Sequence, residues 1–128
     1  MSPEMRARRL MADCATALWG VRFDLSDEVR LHGEMEAVLA SVPGAAVSRE
    51  VVIGARCRID FTVVRGGVTV GVEVKRVAQR GSILKQINRY AETGRLDGLV
   101  LVSATAIAAP DRLSGVPLSV LSLGAAFL

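Results

Sequence analysis

The stretch RIDFTVVRGGVTVGVEVKR, Arg58 to Arg76, constrains the fold more than any other part of the chain. Two valine-rich runs are joined by Gly66 and Gly67, a pair suited to the positive φ angles of a two-residue hairpin loop. With those glycines as the loop, Arg65 pairs with Val68, and Asp60 falls opposite Glu73. Strand side chains alternate, so Cys57, Ile59, Phe61, Val63, Val70, Val72 and Val74 are expected on a core face. Arg58, Asp60, Thr62, Gly71, Glu73 and Lys75 are expected on the opposite face.

The sequence around the hairpin predicts what packs on it. Ser2 and Pro3 suit the cap and first turn of a helix running to about Trp19 and ended by Gly20. A second helix is expected after Ser26, with Asp27 and Glu28 in its first turn and an apolar stripe of Leu31, Met35, Val38, Leu39 and Val42, stopped by Pro43 and Gly44. Extended segments are expected at 46–53, 56–64 and 68–75, followed by a helix capped by Ser82 and ended by Gly94. GLVLVS, 98–103, reads as a buried parallel strand reached through that helix, and a last strand is expected at 118–123. The fold class is therefore α/β, an antiparallel meander plus a βαβ crossover in one mixed sheet flanked by helices. With 128 residues and 51% hydrophobic content, the chain is expected to be one domain, 1–128, with its core at approximately 27–123.

Cys14 and Cys57 have no CxxC partner, so neither a disulfide framework nor a structural zinc site is predicted. The longest apolar run is too short to span a bilayer, and a reducing, cytoplasmic setting is expected, with no membrane partner. A formal charge of +3 permits a polyanionic partner without requiring one.

Two carboxylates directly opposed on a sheet repel each other unless a cation or basic neighbours offset them. Mg2+ suits that position, because it takes a few carboxylate oxygens and completes its shell with water and phosphate oxygens. Lys75, two residues after Glu73, shares its face and can stabilise phosphate charge or help deprotonate a water. The competing reading is a charge-alternating ladder of Arg58, Asp60, Glu73 and Lys75 on a solvent face, worth a few tenths of a kcal/mol per pair.

Asp60, then Glu73-Val74-Lys75 thirteen residues on, then a helix and an apolar strand, resembles the PD-(D/E)XK nuclease superfamily and its restriction-endonuclease-like αβββαβ core. The resemblance covers about Leu31 to Ser103, with Ile59 where the family often has proline. Gln86 and Tyr90 resemble the QxxxY motif of its RecB-like and lambda-exonuclease-like branches and sit at i and i+4 on one helix face, where they can contact the scissile strand. The family usually adds an acidic residue, or in RecB-like members a histidine, from the preceding helix. Here His32, Glu34 and Glu36 are the candidates, with Glu34 preferred beside Met35 and the pair His32/Glu36 as its rival.

The resemblance implies a Mg2+-dependent deoxyribonuclease, with Mn2+ as a substitute ion, serving DNA recombination, repair or phage DNA processing in a bacterial or phage-infected cell. Asp60, Glu73, the Val74 carbonyl and Glu34 or His32 would hold the metal, and Lys75, Gln86 and Tyr90 would act on water, phosphate or substrate. Arg58, Arg76, Arg80, Lys85 and Arg89, with Arg56, form a basic surround for a DNA backbone. Endonuclease and exonuclease action, and resolvase-like and RecB-like substrates, stay open at this level. Two alternatives stand beside the enzyme. One is a non-catalytic DNA-binding module, or subunit of a larger nuclease assembly, with the same fold. The other is an interaction domain in which the apolar LGAAFL, 123–128, closes a homo-oligomer or docks a partner.

Overall fold

The computed structural model describes residues 1–24, 26–76 and 80–124. Its elements, in order, are α1 (Pro3–Trp19), α2 (Glu28–Ala40), β1 (Ala46–Gly54), β2 (Cys57–Arg65), β3 (Val68–Lys75), α3 (Arg80–Glu92), β4 (Gly98–Ser103), β5 (Arg112–Leu113) and β6 (Val116–Ser122). The strands form one mixed sheet ordered β1-β2-β3-β4-β6-β5. β1, β2 and β3 make an antiparallel meander, whereas β3, β4 and β6 run parallel. The two-residue β5, which pairs with β6, was not foreseen because so short a segment has no periodicity to read.

Gly66 and Gly67 both hold positive φ, 59° and 79°, and the strands pair in the expected register from Arg65 with Val68 to Phe61 with Val72. Two layers of apolar side chains clamp the sheet. On one face Leu10, Cys14 and Leu18 of α1 and Leu31, Met35 and Leu39 of α2 pack on Phe61, Val63, Val70, Val72, Val100 and Val102. On the other, Ile83, Ile87, Tyr90 and Ala91 of α3 pack on Ile59, Leu99 and Leu101. Each large aliphatic side chain so covered contributes about 1.5–3 kcal/mol. Every residue of β4 is buried, as a parallel strand covered on both faces requires.

Three local expectations need correction. Asp27 caps α2 rather than lying in its first turn: its carboxylate accepts from the Arg30 N–H, while Ser26 is tied to Asp24. α3 starts at Arg80, so Ser82 lies inside the helix rather than at its cap, and 77–79 just before it are outside the described residues. Residues 125–128, most of the apolar terminal stretch, are also outside them.

The third correction shapes the site. Cys57 and Ile59 do not share a face with Phe61 and Val63 but pack under α3, in the opposite layer. The pleat of β2 breaks at Asp60. Gly71 makes room for the crossing: a Cβ there would lie 2.5 Å from Ile59 Cδ1 and 2.9 Å from Leu96 Cδ1. Opposite the break, Glu50 of β1 takes a left-handed φ of 51° between the regular pairs Arg49 with Phe61 and Val51 with Ile59. No helix among the described residues is long and apolar enough to cross a membrane.

Candidate active site

The backbone pairing of β2 with β3 runs only as far as Phe61 and Val72, and beyond it the carboxylates close the gap between the strands. The Asp60 N–H donates to Glu73 Oε1 at 3.0 Å, and the Val74 N–H donates to Asp60 Oδ2 at 2.8 Å. Each side chain thus takes the place of a strand carbonyl, and the two carboxylates are locked at the C-terminal end of β3. N–H and C=O of one residue leave a strand on the same edge, so the Val74 carbonyl faces the same opening.

Glu73 is only 3% exposed, which excludes a ladder on a solvent face. Burial, and then the charge of Asp60, push its carboxyl up to about 7, against the opposing pull of the hydrogen bonds from Asp60 and Tyr90 and of Lys75. The Lys75 amine lies 3.6 Å from Glu73 Oε2 with its side chain one quarter exposed, so it reaches both the carboxylate and solvent.

Tyr90 explains how a buried glutamate is held. Its hydroxyl lies 2.9 Å from the Arg58 carbonyl and 3.0 Å from Glu73 Oε2, and the Gln86 side-chain amide donates to it at 2.8 Å. A phenol has one proton to give. With Glu73 protonated all three contacts are satisfied together: Glu73 and Gln86 donate to the phenol oxygen, and the phenol donates to the Arg58 carbonyl. Burial, followed by the Glu73 charge, pushes the Tyr90 phenol above its ordinary range, so it remains a neutral hydroxyl. Gln86 and Tyr90 do share a helix face, but that face points into the sheet. Tyr90, 3% exposed, positions Glu73 rather than lining an open strand path.

The α2 contribution is His32. Its side chain is nine-tenths buried, its ring centroid lies 5.6 Å from that of Phe61, and its Nδ1 lies 3.8 Å from Glu50 Oε1. Ligand-capable atoms of His32, Glu50 and Asp60 all fall within 4.8 Å of one another. The structure does not bring Glu34 or Glu36 to this cluster: Glu34 pairs with Arg30 at 2.9 Å and Glu36 with Arg49 at 3.9 Å. Glu50 was missed by sequence reasoning. The signal that could have found it is register, since the meander sets Glu50 directly across from Asp60.

Asp60 therefore stands where the two sheet faces meet. Glu73, Lys75 and Tyr90 approach from the α3 side, and His32 and Glu50 from the α2 side. Among the basic residues, Arg58 is exposed with Nη1 4.0 Å from Glu50 Oε2, and Arg76 lies 3.9 Å from Glu28. Arg80 donates to the Ala108 carbonyl, and Arg56 sits exposed in the β1–β2 turn. Lys85 and Arg89 are exposed one helical turn apart on the outer face of α3. Comparison with protein-family models, curated proteins and solved structures finds no match to this chain.

Proposed function

We propose that the chain is a Mg2+-dependent deoxyribonuclease of the PD-(D/E)XK type, with a restriction-endonuclease-like core. The observation that carries this reading is the interlock of Asp60, Glu73 and Val74 where β2 and β3 part, with the Lys75 amine beside it. A buried Glu73 beside a half-buried Asp60, with the Lys75 amine as their near cation, is short of positive charge, and the donors suit a hard divalent cation: two carboxylates and the Val74 carbonyl. Such a cation, when bound, lowers the pKa of water and neutralises charge building on a phosphate.

The chain's own groups supply the rest. Asp60 and Glu73 would hold the cation, and the Tyr90–Gln86 pair fixes the rotamer of Glu73. Lys75 polarises the attacking water or the phosphate. Lys85, Arg89 and Arg58 hold the DNA backbone. In-line attack on phosphorus then breaks the P–O3′ bond and leaves a 5′-phosphate. DNA recombination, repair or phage DNA processing is the setting such an activity serves, as a homo-oligomer or within a larger complex.

The test is cleavage of labelled linear duplex, single-stranded, flap and four-way-junction DNA with Mg2+, Mn2+ or EDTA, by wild type, Glu73→Ala and Lys75→Ala. Metal-dependent cutting by wild type alone, with both variants folded and still binding DNA, upholds the proposal. A folded wild type that binds but cuts none of the substrates overturns it in favour of a DNA-binding module.

A further inference from the structure

His32 raises a question that the Asp60–Glu73 interlock does not answer. Its side chain is nine-tenths buried yet makes no hydrogen bond among the described residues, and the half-exposed Glu50 holds Oε1 at 3.8 Å from its Nδ1, beyond hydrogen-bond reach. No fully buried side-chain nitrogen or oxygen among the described residues lacks a partner, so the unbonded imidazole nitrogens keep a narrow contact with solvent and stay open to a ligand. Glu50 presents the complementary oddity. A non-glycine residue in the left-handed region inside a strand is strained. Glu50 accepts that conformation with its two oxygens divided, Oε1 toward His32 and Oε2 4.0 Å from Arg58.

We propose that His32, Glu50 and Asp60 form a cation position of their own, selective for a first-row transition ion such as Mn2+ over Mg2+, with Glu50 as the ligand supplied by edge strand β1. It deepens the nuclease reading and rests on it for the shared residue Asp60. The three ligand atoms already lie within 4.8 Å of one another, a spread that modest side-chain rotation closes around one ion. One imidazole nitrogen with two carboxylates is a borderline donor set. Mg2+ favours all-oxygen octahedra and sheds its water reluctantly, whereas imidazole nitrogen favours transition ions. The His32 ring packs against Phe61 with centroids 5.6 Å apart, so the nitrogen belongs to a covered side chain rather than an exposed surface group. Arg58 Nη1 lies 4.0 Å from the far oxygen of Glu50, an exposed pairing that leaves Oε1 facing His32.

Calorimetric titration of the metal-free protein with Mn2+ and with Mg2+, with EPR following free Mn2+, tests this in wild type, Glu50→Gly, Glu50→Gln and His32→Gln. Glycine takes a φ of 51° without strain, so Glu50→Gly removes the carboxylate and relaxes the backbone. Glu50→Gln keeps the shape should the glycine variant unfold. Wild type is expected to bind Mn2+ at least about tenfold more tightly than Mg2+, and each variant to lose at least about tenfold of its Mn2+ affinity with little change for Mg2+. Equal affinities in wild type, or Mn2+ affinity unchanged in folded Glu50 variants, overturn the proposal. Mn2+ binding that depends on Glu50 and His32 in a protein that cuts no DNA would sustain this site and sink the nuclease reading. Cleavage with Mn2+ affinity indifferent to Glu50 would do the reverse.

Discussion

Replacing Glu73 by Gln should make the protein more stable and inactive at once. Gln is close to an isostere of the protonated glutamate. Its amide oxygen still accepts from the Asp60 N–H, and its amide nitrogen donates to the Tyr90 oxygen while Tyr90 donates to the Arg58 carbonyl. A carboxyl pushed up from 4.5 to about 7 favours its neutral form in the fold. The stability it contributes is therefore full below the unfolded value and is lost as pH rises through about 7. Over that interval the loss is about 3 kcal/mol, reduced by up to about 0.5 kcal/mol for the Lys75 contact that Gln weakens. Because every other titrating group is common to both proteins, the difference between their urea midpoints isolates Glu73. The variant should exceed wild type by about 2–3 kcal/mol at pH 8, roughly 5–10 °C in Tm, and the gap should nearly close at pH 4. Added Mg2+ should raise the wild-type midpoint and leave the variant's nearly unmoved. Parallel curves from pH 4 to 8, or a variant less stable at pH 8, would refute the placement of Glu73 as a buried, charge-strained carboxylate.

Tyr90→Phe removes one oxygen and leaves the Gln86 amide, Glu73 Oε2 and the Arg58 carbonyl each short of a partner, so thermal melts should show a loss of about 1–3 kcal/mol. Were Tyr90 a substrate contact instead, KM for DNA would rise with stability unchanged. Gly71→Ala places a Cβ 2.5 Å from Ile59 Cδ1, and urea unfolding should report a loss of about 1–3 kcal/mol as Ile59 and Leu96 are forced off their positions. Lys85→Ala with Arg89→Ala should weaken DNA binding across all sequences and lower the salt slope of log K by roughly 1 per residue, measured by fluorescence anisotropy from 50 to 200 mM salt. An unchanged slope would move the DNA path off the outer face of α3.

The hairpin was legible because a two-residue glycine loop leaves one register, and that register alone puts Asp60 across from Glu73. The broken pleat was not legible, since period-two reasoning carries the alternation of Phe61 and Val63 straight through Asp60 to Ile59. What interrupts it is tertiary: the space beside Gly71 and the left-handed turn of Glu50 on the neighbouring strand. The choice between His32 and Glu34 failed for a different reason. On a helical wheel the two flank the stripe of Leu31, Met35 and Val42 by nearly equal angles on opposite sides, so the apolar pattern of α2 cannot rank them. Packing does: Leu39, on the His32 side, is fully buried, whereas Val38, on the other, is only partly covered, and the helix is rolled accordingly.

That roll, together with the broken pleat, gives Asp60 two sets of neighbours that a regular sheet would keep on separate faces. In an unbroken β2, a side chain at position 60 would meet either the α2 layer or the α3 layer. Here Asp60 bonds the Val74 N–H within the plane of the sheet, reaches Glu73 on the α3 side and lies within 4.8 Å of His32 and Glu50 on the α2 side. The cost is a strained Glu50, a Gly71 that tolerates no side chain and a glutamate buried against its charge. None of these serves a sheet whose only task is to pack, because Gln at 73 and Gly at 50 would relieve two of them without disturbing the core. A chain that holds all three spends stability on bringing carboxylates, an imidazole and an amine to one point, which is the expenditure the proposed cation-dependent site would require.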